Sequence, residues 1–484
     1  MNYKMIGRFI SLTLAIEAAF MIPALLISLY EGDWTVIRSF LLSIGIIVVI
    51  FAALYLFCRS AQRGFYAREG LVCASLSWIM MSLLGCLPFY LSGQIPSYID
   101  ALFEMVSGFT TTGASILSDV EAMSKSLLYW RSFSHWIGGM GVLVFLLALV
   151  PMVGKNTGFT MHLLRAESPG PNVGKLVPKM KQTALILYCI YILLTVVNII
   201  FLLIGRMPVF DAICTAFGTA GTGGFGIKND SIASYSPYIQ NVCTVFMLLF
   251  GVNFSCYYLL LIKQVKAVLK DEELHVYLGI VLASIVMLTL NVRGMYDTLG
   301  ETIRHAAFQV ASIVTTTGFA TTDFDLWPAF SKAIILFLMT IGACAGSTGG
   351  GFKCGRALLV FKSLRRNIRK VLNPQKIQVV RNNNAMVSEK VLDTTNAYLA
   401  AYVVITILSF IIVSLDGFSV TTNFSAVLSC FNNIGPGLEV VGPTCNYGDY
   451  SILSKLVLIV DMLAGRLEIF PMLILLSRST WHHR

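Results

Sequence analysis

The tract Thr110-Thr111-Thr112-Gly113-Ala114-Ser115 and its echo Thr315-Thr316-Thr317-Gly318-Phe319-Ala320 most narrow what this chain can fold into. The echo extends upstream: Ala101, Phe103 and Ser107 recur at the same offsets as Ala306, Phe308 and Ser312. Two weaker copies, Thr219 to Gly224 and Asn432 to Gly437, fit the same frame. Aligned on Gly113, Gly223, Gly318 and Gly435, the fourth copy keeps a serine, Ser429, where the first has Ser107, and the second has Phe217 there. The copies recur at roughly hundred-residue intervals, too far apart for a short-repeat solenoid. The pattern predicts one module used four times, with four loops meeting on a common axis.

Composition sets the environment in which they meet. The chain is 56% hydrophobic and 12% charged, with mean hydropathy +0.76. Soluble domains carry about 25% charged residues, so this is a polytopic membrane protein. The net charge of +10 does not mark a nucleic-acid binder, because the basic residues gather in short connections between apolar runs. The eleven cysteines sit mostly inside apolar segments, form no Cys-x-x-Cys pair, and read as small buried hydrophobes. His135, His162, His275, His305, His482 and His483 show no metal-ligand spacing beyond the terminal pair, which fits a solvated tail. No serine, histidine and acid cluster can be assembled, so no enzyme site is expected.

A bilayer-crossing helix needs about 20 apolar residues, and ten such spans are expected. Phe9 to Tyr30 is too long for a signal-peptide core. Val36 to Phe57 crosses back after the acidic turn at Glu31 and Asp33, and Arg59, Arg63 and Arg68 mark a cytoplasmic link. Residues 1–68 therefore form two leading helices outside the repeat. The modules follow as 69–165, 166–270, 271–375 and 376–484. Their outward and returning helices are Leu71 to Leu91 with Leu127 to Val150, and Thr183 to Ile204 with Tyr238 to Ile262. The third pair is Val276 to Leu290 with an interrupted helix from Phe330, and the fourth Ala397 to Leu415 with Leu453 to Leu476. Between each pair lies an apolar run of half that length (Ile99 to Phe109, Val209 to Phe217, Thr302 to Val314, Thr421 to Phe431) that ends in a glycine tract. Exposed loop backbone cannot face lipid, where each unsatisfied group costs several kcal/mol; such tracts must line water or protein.

The links between modules are basic: Lys155, Arg165, Lys175, Lys179 and Lys181; then Lys263, Lys266 and Lys270; then Lys353 to Lys390. The loop sides carry Asp100, Asp119, Glu121, Asp211, Asp323, Asp325 and Asp449. This bias places all four re-entrant loops on one external face and both termini in the cytoplasm. The external acids would raise local cation concentration; solvated loop charges are the plain alternative.

A ring of backbone carbonyls can replace the hydration shell of a permeating alkali cation. Glycine tolerates the dihedrals that turn successive carbonyls to one axis, and a neighbouring threonine adds a hydroxyl. The candidate ion-binding residues are Thr111, Thr112 and Gly113; Gly221, Thr222 and Gly223; Thr316, Thr317 and Gly318; Asn433, Ile434 and Gly435. Small residues also let membrane helices pack closely, but that leaves the half-length run before each glycine without a reason.

Further tracts carry a resemblance: Trp130-Arg131-Ser132, His135 to Gly141, Glu167-Ser168-Pro169-Gly170-Pro171 and Asn433 to Gly437. With the four-module pattern, the chain is similar to the Trk/Ktr/HKT superfamily of potassium transporters, and its two leading helices resemble the TrkH branch. The resemblance implies an all-α polytopic membrane protein, with four helix–re-entrant loop–helix modules around one pore and two N-terminal helices. It implies K+ as the permeant ion with no organic cofactor on this chain, a homodimer, and a bacterial inner-membrane location. It also implies a cytosolic nucleotide-binding partner of the TrkA type, which the basic links Lys155 to Lys181 and Lys353 to Lys390 would receive. Gly221, Gly223, Gly224 and Gly226 make the second loop unusually flexible, and the fourth has Ile434 where others have Thr. Both departures reduce fourfold symmetry, so strict selectivity does not follow.

Two glycine motifs need separate readings. Gly221-x-Gly223-x-x-Gly226 matches the dinucleotide fingerprint in letters, but that site requires a soluble βαβ unit and this tract lies between membrane segments. Gly342 to Lys353 lacks the Gly-Lys-Ser/Thr ending of a phosphate loop and interrupts the third returning helix. No helix stays regular through so much glycine, and irregular backbone at that depth faces a cavity or protein. In the resembling family this position is an intramembrane loop that blocks the pore. Gly346, Ser347, Thr348, Gly349 and Gly350 are thus the expected gate, with a passive kink as the alternative.

Arg466 joins them. A charge at mid-span costs about 2.5–3.5 kcal/mol on insertion scales, so it must face a wet cavity or a partner. Either Glu468 or Asp461 pairs with it, or it binds the gate carbonyls and repels cations. Glu17, in the first span, is expected to be a buried, hydrogen-bonded carboxyl, with a proton-coupling role as the alternative. The rival to a channel-like pore is a sodium- or proton-coupled symporter on the same framework, and a second rival is a non-transporting scaffold.

Overall fold

In lipid, backbone groups must be satisfied within the segment that carries them, so long apolar runs become helices. The computed structural model describes residues 1–59, 67–139, 141 and 180–481. Among these, six helices are long and apolar enough to cross a membrane, or seven if one bent pair is a single span. The leading hairpin is α1 (Tyr3–Glu31) and α2 (Trp34–Phe57). Gly32, at φ 74°, ends the first, and the Asp33 carboxylate caps the second at Thr35 N and Val36 N.

The remaining chain runs α3 (Ala67–Gly85), α4 (Leu87–Leu91), the short α5 (Tyr98–Phe109) and α6 (Lys125–Gly139). Next come α7 (Met180–Ile204), the short α8 (Val209–Gly221), α9 (Pro237–Phe250) and α10 (Phe254–Leu261). After them are α11 (Glu272–Val292), the short α12 (Leu299–Val314), α13 (Ala329–Ile341) and α14 (Cys354–Leu372). The last group is α15 (Glu389–Val413), the short α16 (Val420–Phe431), α17 (Ile452–Arg466) and α18 (Phe470–Leu476). A two-stranded hairpin, β1 (Arg381–Asn382) with β2 (Ala385–Met386), precedes α15.

Burial separates two kinds of helix. The short helices α5, α12 and α16 are buried over most of their length, with Phe103, Phe308 and Ala426 fully enclosed. The long helices expose apolar faces, such as Leu42 and Val49 on α2, Leu282 and Val286 on α11, and Val404 and Ile411 on α15. That inversion fits a lipid surround: scaffold helices face hydrocarbon, while short helices carrying polar ends are held inside.

The returning helices differ from expectation. Tyr238 to Ile262 is not one helix, since α9 and α10 meet at 87°. Gly251 packs against Tyr277 and Thr315 at the bend, and the Asn253 side chain caps α10 at Ser255 N. Leu453 to Leu476 is also broken: Glu468 and Ile469 both adopt φ 62° between α17 and α18. Arg466 therefore ends a helix instead of sitting in one. The third returning helix stops at Gly342, as expected, and most of the basic link after Lys353 is the helix α14. Residues 140 and 142–179, with the rest of the first returning helix, the Glu167 to Pro171 tract, His162 and most of the Lys155 to Lys181 link, lie outside the described residues, as do Arg63, His482 and His483.

Candidate functional site

Each short helix ends in the same turn. Thr111, Thr222, Thr316 and Asn433 adopt φ of 55°, 54°, 58° and 56°, the left-handed region that often ends helices but seldom holds threonine. The next amide in each loop donates back into its helix: Thr112 N to Ser107 O, Gly223 N to Gly218 O and Thr317 N to Ser312 O, each at 2.8 Å, and Ile434 N to Ser429 O at 3.0 Å. A glycine with positive φ follows, Gly113 (78°), Gly224 (75°), Gly318 (85°) or Gly435 (104°).

These glycines bring the four loops into contact in cyclic order. A methyl group on Gly113 would strike the carbonyl oxygen of Gly223, and one on Gly224 that of Thr317. One on Gly318 would strike Ile434 O, and one on Gly435 would lie 2.7 Å from Thr112 O, which closes the circle. Only glycine supplies both this dihedral and this approach.

The ring corrects the register of the second loop. Gly224, not Gly223, takes the place of Gly113, and Gly218, not Phe217, stands where the others have Ser107, Ser312 and Ser429. Gly221 is the last residue of α8 and lies against the His135 carbonyl. Aligning the literal Thr-Gly pair hid this, because the left-handed residue, and not the glycine, anchors the turn. A small residue six positions before Gly224 was the available signal.

The loops are braced differently. Thr110 Oγ1 lies 2.8 Å from Thr112 Oγ1, and Thr315 Oγ1 lies 2.7 Å from Thr317 Oγ1. In the fourth loop, Asn433 Nδ2 donates to Thr112 Oγ1 (3.0 Å) and Met462 O (2.9 Å), while Tyr447 Oη donates to Gly435 O (2.7 Å). The second leans on His135, whose Nε2 accepts from Phe225 N (3.2 Å) and whose Nδ1 lies 2.8 Å from Gly108 O. That bonding makes His135 a brace. Thr111 Oγ1 and Asn433 Oδ1 are buried without a hydrogen-bond partner among the described residues.

On one side of the ring lies a cavity of about 150 Å³, bordered by all four ring glycines, Arg131 and Tyr447. Arg131 Nε pairs with Glu104 Oε1 at 2.6 Å, Nη1 donates to Gly226 O at 2.8 Å, and the guanidinium lies 3.5 Å from the Phe225 ring centre. Glu104 also accepts from Ser115 Oγ and Ile116 N, so one buried pair ties the first and second loops. Beside this cavity, the Asn229 side-chain amide donates to Asp119 Oδ1 at 2.9 Å and holds that carboxyl below the usual carboxylate range.

The segment 342–353 lies on the other side. Gly350 N donates to Thr316 Oγ1 at 2.6 Å, and Gly349 and Gly350 press against Thr315 O and Asn432 O. Phe254 N donates to Gly346 O (3.0 Å) and Cys344 N to Gly251 O (3.1 Å), so the segment fills the bend between α9 and α10. Glu273 Oε1 holds its root at Ala345 N, 2.6 Å away. Arg466 Nη1 donates to Thr348 O at 2.8 Å and Nη2 to Gly138 O and Gly139 O. Of the carboxylates expected to compete for Arg466, Glu468 pairs with Arg356 and Asp461 accepts from Ser409 Oγ. Gly346 to Gly350 and Arg466 are thus brought together directly beneath the third and fourth loops. Sequence reasoning missed Lys353, 2% exposed, whose Nζ donates to Gly349 O; its place in a basic run disguised it as a solvated charge.

Two further expectations change or stand as local structure. Glu17 is buried, but neither carboxyl oxygen has a hydrogen-bond partner among the described residues. Gly221 to Gly226 follows a helix, not a strand, and so lacks the setting of a dinucleotide site. Among the described residues no group of His, Cys, Asp and Glu could hold a metal ion.

A family model described as "TrkH: Cation transport protein" matches residues 38–482. The chain is 34% identical to the Trk system potassium uptake protein TrkH of Salmonella typhimurium over 487 residues, covering 99% of this chain and all of that protein. It is 31% identical to the Trk system potassium uptake protein TrkG of Escherichia coli, covering 95% of each. The crystal structure of the potassium transporter TrkH from Vibrio parahaemolyticus superposes with a TM-score of 0.88 at 30% identity over the full length of both chains. These relatives are named as transporters, not enzymes. A helical fold of apolar spans, a match over nearly all its residues and full-length relatives above 30% identity make this chain a member of the TrkH family of cation transport proteins.

Proposed function

We propose that this chain takes up potassium through a channel-like pore whose filter is the four-loop ring. Modules 69–165, 166–270, 271–375 and 376–484 each contribute one loop. The observation that carries this reading is the cyclic seat of Gly113, Gly224, Gly318 and Gly435, each against a carbonyl of the next loop. Carbonyls held by such contacts can replace water around a bare cation without first being ordered. The lone pairs of Thr111 Oγ1 and Asn433 Oδ1 remain available below them.

Segment 346–350 closes the path beneath the ring, and Arg466 holds it shut through Thr348 O while presenting a positive charge to an approaching cation. The family relation supports a cytosolic TrkA-type nucleotide-binding subunit as the opener, a homodimeric assembly, and an inner-membrane orientation with the ring outside and both termini in the cytoplasm. Rubidium uptake into liposomes holding only this chain, under a potassium gradient, tests the reading. Uptake unaltered by removing sodium or changing pH supports a channel-like pore; uptake that requires either supports coupling, and no uptake at all sinks both.

A further inference from the structure

On the side of the fold away from the ring, α14 runs past the first residues of α11 and α15. Lys362 pairs with Glu272, and Arg366 Nη1 pairs with Glu389 Oε1 at 2.6 Å. Glu272 and Glu389 begin the spans Glu272–Met295 and Glu389–Asp416. These two pairs hold the basic face of α14 level with one end of the membrane-crossing helices. The β1–β2 hairpin closes the other wall: Lys362 Nζ donates to Arg381 O at 2.9 Å, and Asn383 bonds Glu272 N and Asp271.

Between helix and hairpin is a groove of about 160 Å³ lined by Lys362, Arg365, Arg366, Arg369 and Arg381. Glu272 and Glu389 answer two of these five cations. Arg365, Arg369 and Arg381 have no acidic partner among the described residues. A solvated helix face would spread such charges apart; here two separate segments aim them into one concavity. The same helix exposes Phe361 (65%), Leu364 (56%), Ile368 (55%) and Val371 (79%) at helical spacing. A basic face beside an apolar stripe is the pattern of a helix lying at the acyl–headgroup boundary. Basic pockets beside membrane helices on the cytosolic side suit anionic headgroups.

We propose that this groove binds the phosphodiester of an anionic phospholipid headgroup, with Arg365, Arg369 and Arg381 as its ligands and the apolar stripe of α14 against the acyl chains. Guanidinium groups suit the site because each can hold two phosphate oxygens in one plane. A soluble phosphate would use the same arginines but not the apolar stripe, and the experiment separates the two sources.

The full-length chain is purified from neutral detergent containing equal phosphatidylglycerol and phosphatidylcholine, and the retained lipids are counted by native mass spectrometry. The wild type should retain phosphatidylglycerol preferentially, and the preference should fall about fivefold for each arginine replaced in the R365Q/R369Q/R381Q variant. Excess inorganic pyrophosphate should not displace the lipid. The variant should keep wild-type rubidium flux in phosphatidylcholine liposomes, because none of the three residues touches the ring or segment 342–353. Should the triple variant not fold, R369Q alone carries the comparison, again at about fivefold. The proposal is overturned by no preference in the wild type, or by an undiminished preference in the variant. Pyrophosphate binding without lipid preference would overturn it in favour of a soluble ligand. Loss of partner binding with lipid preference intact would reassign the groove to an acidic protein surface.

Discussion

The first and third loops brace themselves; the second and fourth are braced by their surroundings. In the former, two threonine hydroxyls lock each turn from within, Thr110 with Thr112 and Thr315 with Thr317. In the latter, Gly223 and Ile434 replace the second threonine, and His135, Tyr447 and Met462 O supply the missing restraint from other segments. Yet the left-handed residue differs by only a few degrees among all four, from 54° at Thr222 to 58° at Thr316. What recurs is a backbone path, and different side chains hold it.

That contrast can be tested, beginning with the largest expected effect. Gly318→Ser, in a self-braced loop, and Gly224→Ser, in an externally braced one, should do equal damage. Each combines left-handed strain of about 1–2 kcal/mol with a carbonyl collision, so potassium preference over sodium in liposome flux should fall more than about tenfold. Gly279→Ala, at a position with open space around it and no positive φ, should be nearly silent. Were Gly224→Ser silent and Gly223→Ser alone harmful, Gly223 and not Gly224 would be the ring glycine of the second loop.

Arg466→Ala should raise partner-free rubidium flux by about tenfold, since hydrogen bonds to a charged group contribute about 1.5–3 kcal/mol. Equal or lower flux would remove Arg466 from the proposed gate. Thr317→Val and Tyr447→Phe each delete one hydroxyl bond, internal in the third loop and external to the fourth. Each should shift the potassium-to-sodium flux ratio by about fivefold, from about 1 kcal/mol per bond. An effect at Thr317 alone would show that only self-bracing matters.

The smallest effect is expected at the rim. Asp119→Asn should lower flux less than about twofold, and only at low ionic strength, where the Debye length is long. Its carboxyl sits below the usual carboxylate range, so the attraction is present above that range and survives mild acidification, being lost only as pH falls through the lowered value. A rim effect that vanished between pH 7 and pH 5 would point to another group.

Much of this was legible in the residues. Thr110 to Gly113 and Thr315 to Gly318 name themselves as equivalent, and the glycine run at 342–351 could not be a regular helix. The second loop was misread by one position because Thr222-Gly223 imitates Thr317-Gly318 in letters, while equivalence resides in the dihedral before the glycine. The breaks at Gly251 and Glu468 were hidden by the apolar residues around them, since hydropathy records lipid compatibility and not helical continuity. Lys353 looked like one more cation in a basic link.

By itself, the amino-acid sequence determined that the chain lives in a bilayer, that apolar half-spans lead into glycine tracts, and where one returning helix must break. These properties depend on transfer energy and local dihedral preference, which act residue by residue. Tertiary structure alone decided which glycine meets which carbonyl, that Arg466 binds main-chain oxygens while Glu468 pairs with Arg356, and that Lys353 is enclosed. Those outcomes depend on contacts between residues far apart in the chain, which only packing brings within reach.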